Sequence, residues 1–175
     1  MTLPQGGWAL RTGDEQHFVT AVNGGGLGGP DSGHGVVALH TDATTATEWE
    51  TFELVILTGG PEIYAPNTTF ALKTFSGNYV TAVNSGGVGG PNDASCPIHT
   101  DATQIGDWEQ YLFNVDYSAA PPTVTIQTWN LNYLTAVNGG GIGGPNDVPV
   151  HTDATTTSIW ETFSVQIPWE TSSVP

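Results

Sequence analysis

The sequence predicts an all-β protein, and three observations support that prediction. The chain of 175 residues contains 23 Gly and 12 Pro, a composition that favours turns and short strands over long helices. Its apolar residues fall in short runs, rich in β-branched and aromatic types, that alternate with polar residues as strands do. The same ordered set of motifs also occurs three times, which predicts a fold built from three similar units.

Each copy of the repeat contains the same motifs in the same order. A Thr-Ala-Val-Asn string begins each copy, at Thr20, Thr81 and Thr135. A glycine-rich stretch follows, then His-Thr-Asp-Ala-Thr at 40–44, 99–103 and 151–155, and then a Trp-Glu pair. Another short apolar run precedes each copy, so each repeat has four candidate strands. We expect one domain over residues 1–175, with repeats at about 8–62, 63–118 and 119–175.

Local patterns predict how the strands of a repeat are oriented. In the segment 18–22 the alternation points Val19 and Ala21 to the interior and leaves Thr20 outside. The Asn-Gly pair that follows favours a turn with positive φ angles, which both residue types tolerate. Ser85 replaces this glycine in the second copy, which leaves a different turn open there.

Three four-stranded units predict one particular closed arrangement. Each unit is too small to bury its own apolar face, so three of them should associate about a common axis. The result would be a six-stranded barrel capped by three hairpins, which is a β-trefoil with pseudo-threefold symmetry. A three-bladed propeller fits the same strand count, but propellers usually have about four to eight blades.

Two repeated residue types are interpreted as parts of the scaffold. The large residues that open the fourth strand of each repeat are predicted to fill the barrel: Trp49, Trp108 and Trp160, with Phe52, Tyr111 and Phe163. The aspartates that precede Ala-Thr are predicted to accept backbone hydrogen bonds and hold a turn: Asp42, Asp101 and Asp153.

Charge excludes several classes of partner. Arg11 and Lys73 are the only strong bases against 17 carboxylates, which gives a net charge of −15. Nucleic acids and anionic membranes should be repelled, because binding phosphates needs clustered Lys and Arg. No stretch approaches the ~18 apolar residues of a membrane span, so membrane insertion is not expected. The compartment stays open: no signal peptide is visible, as in a cytoplasmic or non-classically secreted protein, and the single Cys96 excludes an internal disulfide.

The repeat resembles that of a known superfamily. The order Phe or Tyr, Val or Leu, Thr-Ala, a glycine-rich segment, Asp-Ala-Thr and then Trp-Glu-x-Phe or Tyr is similar to the fascin-like β-trefoils, and closer still to their microbial, lectin-type modules. The resemblance covers residues 8 to about 167. It implies a non-catalytic binding domain, most often for carbohydrate. Asp-Ala-Thr stands where those modules often have Asn-Arg-Thr. The basic residues of an actin bundler are missing, so actin is not an expected partner.

The glycine-rich segments and their neighbours are the candidate binding site. They hold 14 of the 23 glycines, which predicts backbone that approaches either a ligand or a neighbouring loop. The flanking polar side chains suit sugar hydroxyls, and they are Asn23, Asp31, Asn84, Asn92, Asp93, Asn138, Asn146 and Asp147. The imidazoles of His40, His99 and His151 should face outward from the hairpins, where they either bind sugar or brace the loop.

Aromatic residues complete the candidate site. Phe75 and Trp129, in the loop after the first strand of copies two and three, offer faces for stacking against a sugar. Copy one has Asp-Glu-Gln-His there, so the three sites are expected to be unequal.

The sequence thus predicts a lectin with up to three related pockets, one per repeat, for neutral sugars presented multivalently. Asp and carbonyl groups also suit Ca²⁺, but no Asp-x-Asp-x-Asp-Gly spacing is present, so no metal or other cofactor is predicted. No Ser-His-Asp or Cys-His arrangement is evident, and no catalysis is expected. The alternative is a protein-interaction trefoil, such as a protease inhibitor, that acts through a non-repeated loop at Thr58–Pro66 or Ser118–Pro122.

Overall fold

The computed structural model describes residues 7–28, 37–58, 68–89, 96–116, 118–144 and 148–166. Its regular elements are twelve strands and six single turns of 3-10 helix. The strands are β1 (Trp8–Arg11), β2 (Phe18–Ala21), β3 (Leu39–Ala43), β4 (Thr51–Thr58), β5 (Thr69–Lys73), β6 (Tyr79–Ala82), β7 (Ile98–Ala102), β8 (Tyr111–Asp116), β9 (Thr123–Thr128), β10 (Tyr133–Ala136), β11 (Val150–Ala154) and β12 (Phe163–Gln166). No helix in these ranges is long and apolar enough to cross a membrane.

Six of the strands form a closed antiparallel barrel. Strand β1 pairs with β4 and β12, β5 pairs with β4 and β8, and β9 pairs with β8 and β12. The other six form the hairpins β2–β3, β6–β7 and β10–β11, and β3, β7 and β11 lie against one another. We call β1–β4, β5–β8 and β9–β12 units 1, 2 and 3. A closed barrel leaves none of its six strands as an unpaired edge.

The interior of the barrel is filled as the sequence predicts at three of its large positions. Phe52, Tyr111 and Phe163 are almost completely buried. The Tyr111 hydroxyl donates to the Val80 carbonyl at 3.1 Å, so burial leaves its polar end satisfied. Burial and the nearby carboxylate of Glu109 raise the pKa of Tyr111, which keeps this hydroxyl protonated.

The prediction that the three repeated tryptophans fill the barrel is wrong. Trp49, Trp108 and Trp160 are exposed over 43%, 44% and 41% of their surface. Each lies at the centre of a single 3-10 turn that precedes the fourth strand, at Glu48–Glu50, Asp107–Glu109 and Ile159–Glu161. This turn has three residues per revolution rather than the two of a strand, so the Trp points to solvent and the following Glu points inward.

At the turn before each fourth strand, a carboxylate is therefore buried where an indole ring was predicted. Glu50 is 5% exposed and accepts a hydrogen bond from the Thr20 hydroxyl at 2.9 Å and from the Thr47 amide at 2.8 Å. Thr81 bonds Glu109 at 2.7 Å and Thr135 bonds Glu161 at 2.9 Å in the same way. Thr20 is consequently buried, and its predicted outward position is wrong. The hydrogen bond to this carboxylate links the second strand of each unit to the 3-10 turn that precedes its fourth strand.

We expect Glu50→Ala to lower the free energy of unfolding by roughly 2 kcal/mol, because it leaves the buried Thr20 hydroxyl without its charged acceptor. Glu48→Ala is the matched control, since Glu48 lies in the same turn with its side chain exposed. Urea unfolding followed by fluorescence measures both variants. Equal effects of the two substitutions would contradict a structural role for the buried carboxylate.

Candidate functional site

The glycine-rich segment of each unit crosses to the next unit. The Gly26 amide donates to the Thr100 carbonyl at 2.7 Å, and the Thr100 amide donates back to the Leu27 carbonyl at 2.8 Å. The same pair of bonds joins Gly87 and Val88 to Thr152, and Gly141 and Ile142 to Thr41. The glycine-rich segment of unit 1 is thus hydrogen-bonded to unit 2, that of unit 2 to unit 3, and that of unit 3 to unit 1. The three threonines at these junctions are fully buried.

Close approach of a neighbouring unit explains several of the glycines. A Cβ on Gly25 would collide with the Thr74 hydroxyl, and one on Gly86 would collide with that of Thr128. Gly140 meets Thr12 in the same way. The sequence left open whether these glycines approach a ligand or a loop. At these three positions they approach the loop of the next unit.

The predicted turn after the second strand is present in all three units. Asn23, Asn84 and Asn138 have φ angles of 57°, 57° and 58°, and all three side chains are exposed. Gly24 follows at 76°, and Ser85 takes 65° at the equivalent position. The substitution of Ser for Gly therefore leaves the turn unchanged. Few side chains adopt this left-handed region, so Ser85 carries some strain.

The imidazoles are more covered than a sugar-binding role alone would require. Leu39 is buried and His40 is half-buried, as the alternation predicts. The His40 side chain is 22% exposed, its Nδ1 lies 3.9 Å from Asp42 Oδ1, and its Nε2 is buried without a hydrogen-bond partner among the described residues. His99 is half-buried too, and His151 repeats the 3.9 Å approach with Asp153. That these imidazoles contact sugar stays a prediction.

The prediction that the three repeated aspartates hold a turn is wrong, because they do not lie in a turn. Asp42, Asp101 and Asp153 lie within strands β3, β7 and β11, and their side chains are exposed. A Cβ on Gly143 would collide with the Asp42 carboxylate, so this side chain lies against the glycine-rich segment of unit 3. The carboxylate thus faces a neighbouring unit rather than holding a turn of its own.

The loop after the first strand of each unit also contacts the preceding unit. The Ser76 amide donates to the Gly24 carbonyl at 2.8 Å, the Asn130 amide to Ser85 at 3.2 Å and the Asp14 amide to Gly139 at 3.0 Å. We call these junctions seams. The first seam joins 22–24 to 75–77, the second joins 83–85 to 129–131, and the third joins 137–139 to 13–15.

Exposed aromatic rings line the first two seams. Phe75 is 60% exposed, and both its ring and that of Trp49 come within 3.3 Å of the position that a Cβ on Gly24 would occupy. Trp129, at the position equivalent to Phe75, is 48% exposed on the second seam. The turn of unit 2 that carries Ser85 packs against the turn that carries Trp108.

The third seam is built differently. Trp160 is exposed here, but Gly13 stands where the other seams have Phe75 and Trp129. The Ile159 backbone carbonyl occupies the space that any Cβ at Gly13 would need. Asp14 Oδ2 lies 2.5 Å from His17 Nδ1. Burial tends to raise the pKa of Asp14, but hydrogen bonds from the Gln16 amide, His17 and Thr12 outweigh it and hold that pKa below its ordinary value.

Of the residues predicted to bind ligand, the structure brings the Asn and aromatic groups together. Asn23 directly precedes Gly24, over which the rings of the first seam meet, and Asn84 directly precedes Ser85 at the second seam. Sequence reasoning missed Trp49 and Trp108. The Thr-x-x-Glu pattern at Thr47–Glu50 is a capping-box signature and would have predicted a helical turn there. The predicted residues Asp31, Asn92, Asp93, Asn146 and Asp147 lie outside the described residues.

Metal-binding groups are not clustered in the described part of the chain. No group of three or more His, Cys, Asp or Glu side chains there is arranged to hold a metal ion.

Solved structures identify the fold. The chain is similar to ThreeFoil, a designed threefold-symmetric protein, with a TM-score of 0.64 and 12% identity over 90% of this chain and 96% of that one. It is also similar to the apo form of the BEL β-trefoil, with a TM-score of 0.59 and 13% identity over 95% and 99% of the two chains. The fold is a β-trefoil. Neither the family models nor the curated proteins give a sequence match.

A lectin also shares this trefoil architecture. The Polyporus squamosus lectin, solved with the epitope Neu5Aca2-6Galb1-4GlcNAc, matches with a TM-score of 0.56 and 12% identity. The alignment covers 93% of this chain and 48% of the lectin. At such identities the likeness shows the trefoil fold alone.

We expect Gly25→Ala to destabilise the trefoil by roughly 2–4 kcal/mol, because the methyl group meets Thr74 and the φ of 105° is also unfavourable for alanine. Gly77→Ala is the matched control, since Gly77 has a φ of 89° but open space around it. It should cost only about 1 kcal/mol. Chemical denaturation compares the two, and a similar loss in both would show that the packing of the loop on unit 2 contributes little.

His151 should make the protein sensitive to acid. Burial lowers the pKa of His151 below its ordinary value of 6.5, although Asp153 and a backbone hydrogen bond at Val148 oppose this. The unfolded state therefore binds more protons as the pH falls through 6.5, and this residue's contribution to stability is lost in that direction. The difference in unfolding free energy between about pH 7 and pH 5 should be smaller in His151→Gln. An identical difference in both proteins would contradict the assignment.

Proposed function

We propose that the protein is a non-catalytic lectin for neutral sugars. In this proposal one trefoil domain over 1–175 carries three related four-stranded repeats, at about 8–62, 63–118 and 119–175, and belongs with the fascin-like trefoils. The observation that carries the proposal is the pair of exposed rings at the first seam, Trp49 and Phe75, which meet over Gly24, together with the exposed side chain of Asn23, the residue before Gly24. The second seam repeats this set of groups.

Such a combination suits the two kinds of surface that a sugar presents. The C–H face of a pyranose packs against an aromatic ring, while its hydroxyls need both donors and acceptors. A side-chain amide supplies both. Single exposed apolar residues are common on protein surfaces, but exposed rings that meet over one backbone position, beside a free polar group, are the composition of a small binding site.

The charge distribution favours neutral sugars over acidic ones. Arg11 donates to Gln166 at 3.2 Å and its guanidinium lies 5.0 Å from the centre of the Phe18 ring. Lys73 Nζ lies 3.2 Å from Glu53. Both strong bases of the chain therefore already have partners within the protein. The net charge of −15 adds a general repulsion of anions.

The likeness to a glycan-bound trefoil lectin supports the proposal at the level of the fold. Repetition of the candidate site supports it as well. Millimolar affinity corresponds to only about −4 kcal/mol per site. Two or more linked sites on a multivalent glycan surface raise the effective affinity by orders of magnitude, so weak individual sites suffice.

A glycan array followed by titration calorimetry tests this function. We expect neutral oligosaccharides to bind, sialylated or sulfated versions of the same glycans to bind less, and the affinity to change little with salt, since no ion pair forms. The protein without sugar, titrated with buffer, is the control. Retention of acidic glycans alone, or of no glycan, would contradict the proposal.

One observation supports a second candidate, a protein-interaction trefoil. The connection between β8 and β9 interrupts the repeat, and Ser118, Ala120, Pro121 and Pro122 are exposed there. Such a loop could enter the site of a partner protein such as a protease. The other non-repeated segment, Thr58–Pro66, lies outside the described residues except for Thr58. Replacing 118–122 with a Gly-Ser linker would abolish this second activity and leave sugar binding unchanged.

A further inference from the structure

We propose that the sugar-binding sites of this protein are the first and second seams, each assembled from two neighbouring units, and that the third seam does not bind. The chain would then carry two sites rather than three. This inference rests on the proposed lectin function and specifies where and how often a neutral pyranose binds.

The first seam is a preorganised site that no single repeat contains. Trp49 belongs to unit 1 and Phe75 to unit 2, and the two rings meet over Gly24. No side chain separates them, because Gly24 has none. The hydrogen bond from the Ser76 amide to the Gly24 carbonyl fixes the two turns relative to one another. Little ordering is therefore needed when a sugar binds, which preserves affinity at a small site.

The polar part of the first seam is available to a ligand. Asn23 is exposed, and its side-chain amide makes no hydrogen bond to another residue within the described ranges. Its φ of 57° places it at the tip of the turn, next to Gly24. An unengaged amide beside two rings supplies the donor and acceptor that neighbouring sugar hydroxyls require.

The second seam presents the same groups. Trp108 comes from unit 2 and Trp129 from unit 3, and both are nearly half exposed. The Asn130 amide bonds Ser85, the counterpart of Gly24, and Asn84 is exposed with an amide that no described residue engages. Two indoles take the positions of the indole and phenyl of the first seam, and Ser85 adds a side chain where the first seam has Gly24, so we expect the two seams to bind the same sugar with different affinities.

The third seam lacks the aromatic residue that the loop after the first strand contributes to the other two seams. Trp160 and Asn138 are exposed as in the other seams, but Gly13 contributes no ring. An aromatic residue cannot be accommodated at position 13, since the Ile159 carbonyl fills the space for its Cβ. The adjoining loop carries the carboxylates of Asp14 and Glu15 instead. Trp160 is thus an exposed tryptophan with the same local structure as Trp49 and Trp108 but without a partner ring.

This difference provides an internal control for an NMR experiment. Methyl glycosides of glucose, galactose, mannose and N-acetylglucosamine are titrated into the intact protein, and the indole N–H signals are assigned by single Trp→Phe substitution. We expect saturable shifts for Trp49, Trp108 and Trp129 with at least one sugar, and none for Trp160. NMR detects millimolar binding at each site separately, and the titration itself is made on the unsubstituted protein.

Variants then test whether both seams are needed. Trp49→Ala and Trp108→Ala should each abolish binding at their own seam and leave the other unchanged, and the double variant should bind no methyl glycoside. Trp160→Ala should bind like the unsubstituted protein. Avidity for a neutral glycan surface should fall by at least about tenfold in either single variant. The unfolding midpoint of each variant confirms that the substitution leaves the fold intact.

The outcomes separate this inference from the function on which it rests. Sugar binding that shifts Trp160 equally, or that survives in the double variant, would overturn the two-seam assignment and leave the lectin function standing. Failure of every neutral glycan to bind would overturn both. Salt-sensitive binding of a Lys-rich peptide at the same rings, with no sugar bound, would also overturn both and identify the seams as sites for cations.

Discussion

The architecture depends on one repeated interaction, the pair of backbone hydrogen bonds between the glycine-rich segment of a unit and the His-Thr-Asp strand of the next. These bonds run in a cycle, so each unit both supplies a glycine-rich segment and receives one. They bring backbone directly against backbone, and the adjoining Gly25 and Gly140 lie against Thr74 and Thr12 of the next unit with no room for a Cβ. The glycine-rich segments therefore hold the units together, and the buried Thr41, Thr100 and Thr152 complete these junctions.

The cycle determines how the candidate binding surface is assembled. Because each unit reaches into the next, the exposed surface at the hairpin end is made of seams rather than of separate unit faces. A seam takes a tryptophan from one unit and the tip of a loop from another, so a change in a single loop alters one seam and leaves the others intact. The loop that carries Gly13 shows this. It keeps the backbone bond to Gly139 but replaces an aromatic side chain with hydrogen and places carboxylates beside it. Structural repetition is thus compatible with unequal sites.

Predictions from the sequence were correct where the alternation of side chains matches the backbone of a strand. They failed where a single 3-10 turn replaced the two-residue period of a strand with a three-residue one. The burial of Phe52, Tyr111 and Phe163 follows from strand alternation, and the positive φ of Asn23 follows from its pairing with Gly24. The Trp-Glu pair was misinterpreted because hydrophobicity alone favours a buried indole and an exposed carboxylate. A single 3-10 turn reverses both, and the buried Glu50 is tolerated because a threonine hydroxyl and a backbone amide satisfy it. Asn23, Asn84, Phe75 and Trp129 were predicted from the sequence and lie at the seams, whereas Trp49 and Trp108 were not predicted there; that any of them binds sugar stays a prediction.

The sequence by itself determined the all-β class, the three copies of a four-stranded unit and the closed barrel, because repeated alternation and turn residues are local properties that composition and order record. It also predicts that polyanionic partners are repelled, since charge is additive along a chain. Only the tertiary structure decided which unit each glycine-rich segment contacts and which rings share a seam. The glycine-rich segments bond to strands 64 to 101 positions away, and the rings of a seam belong to different units, so their geometry depends on how three units close on one another. No pattern within a single repeat contains that information.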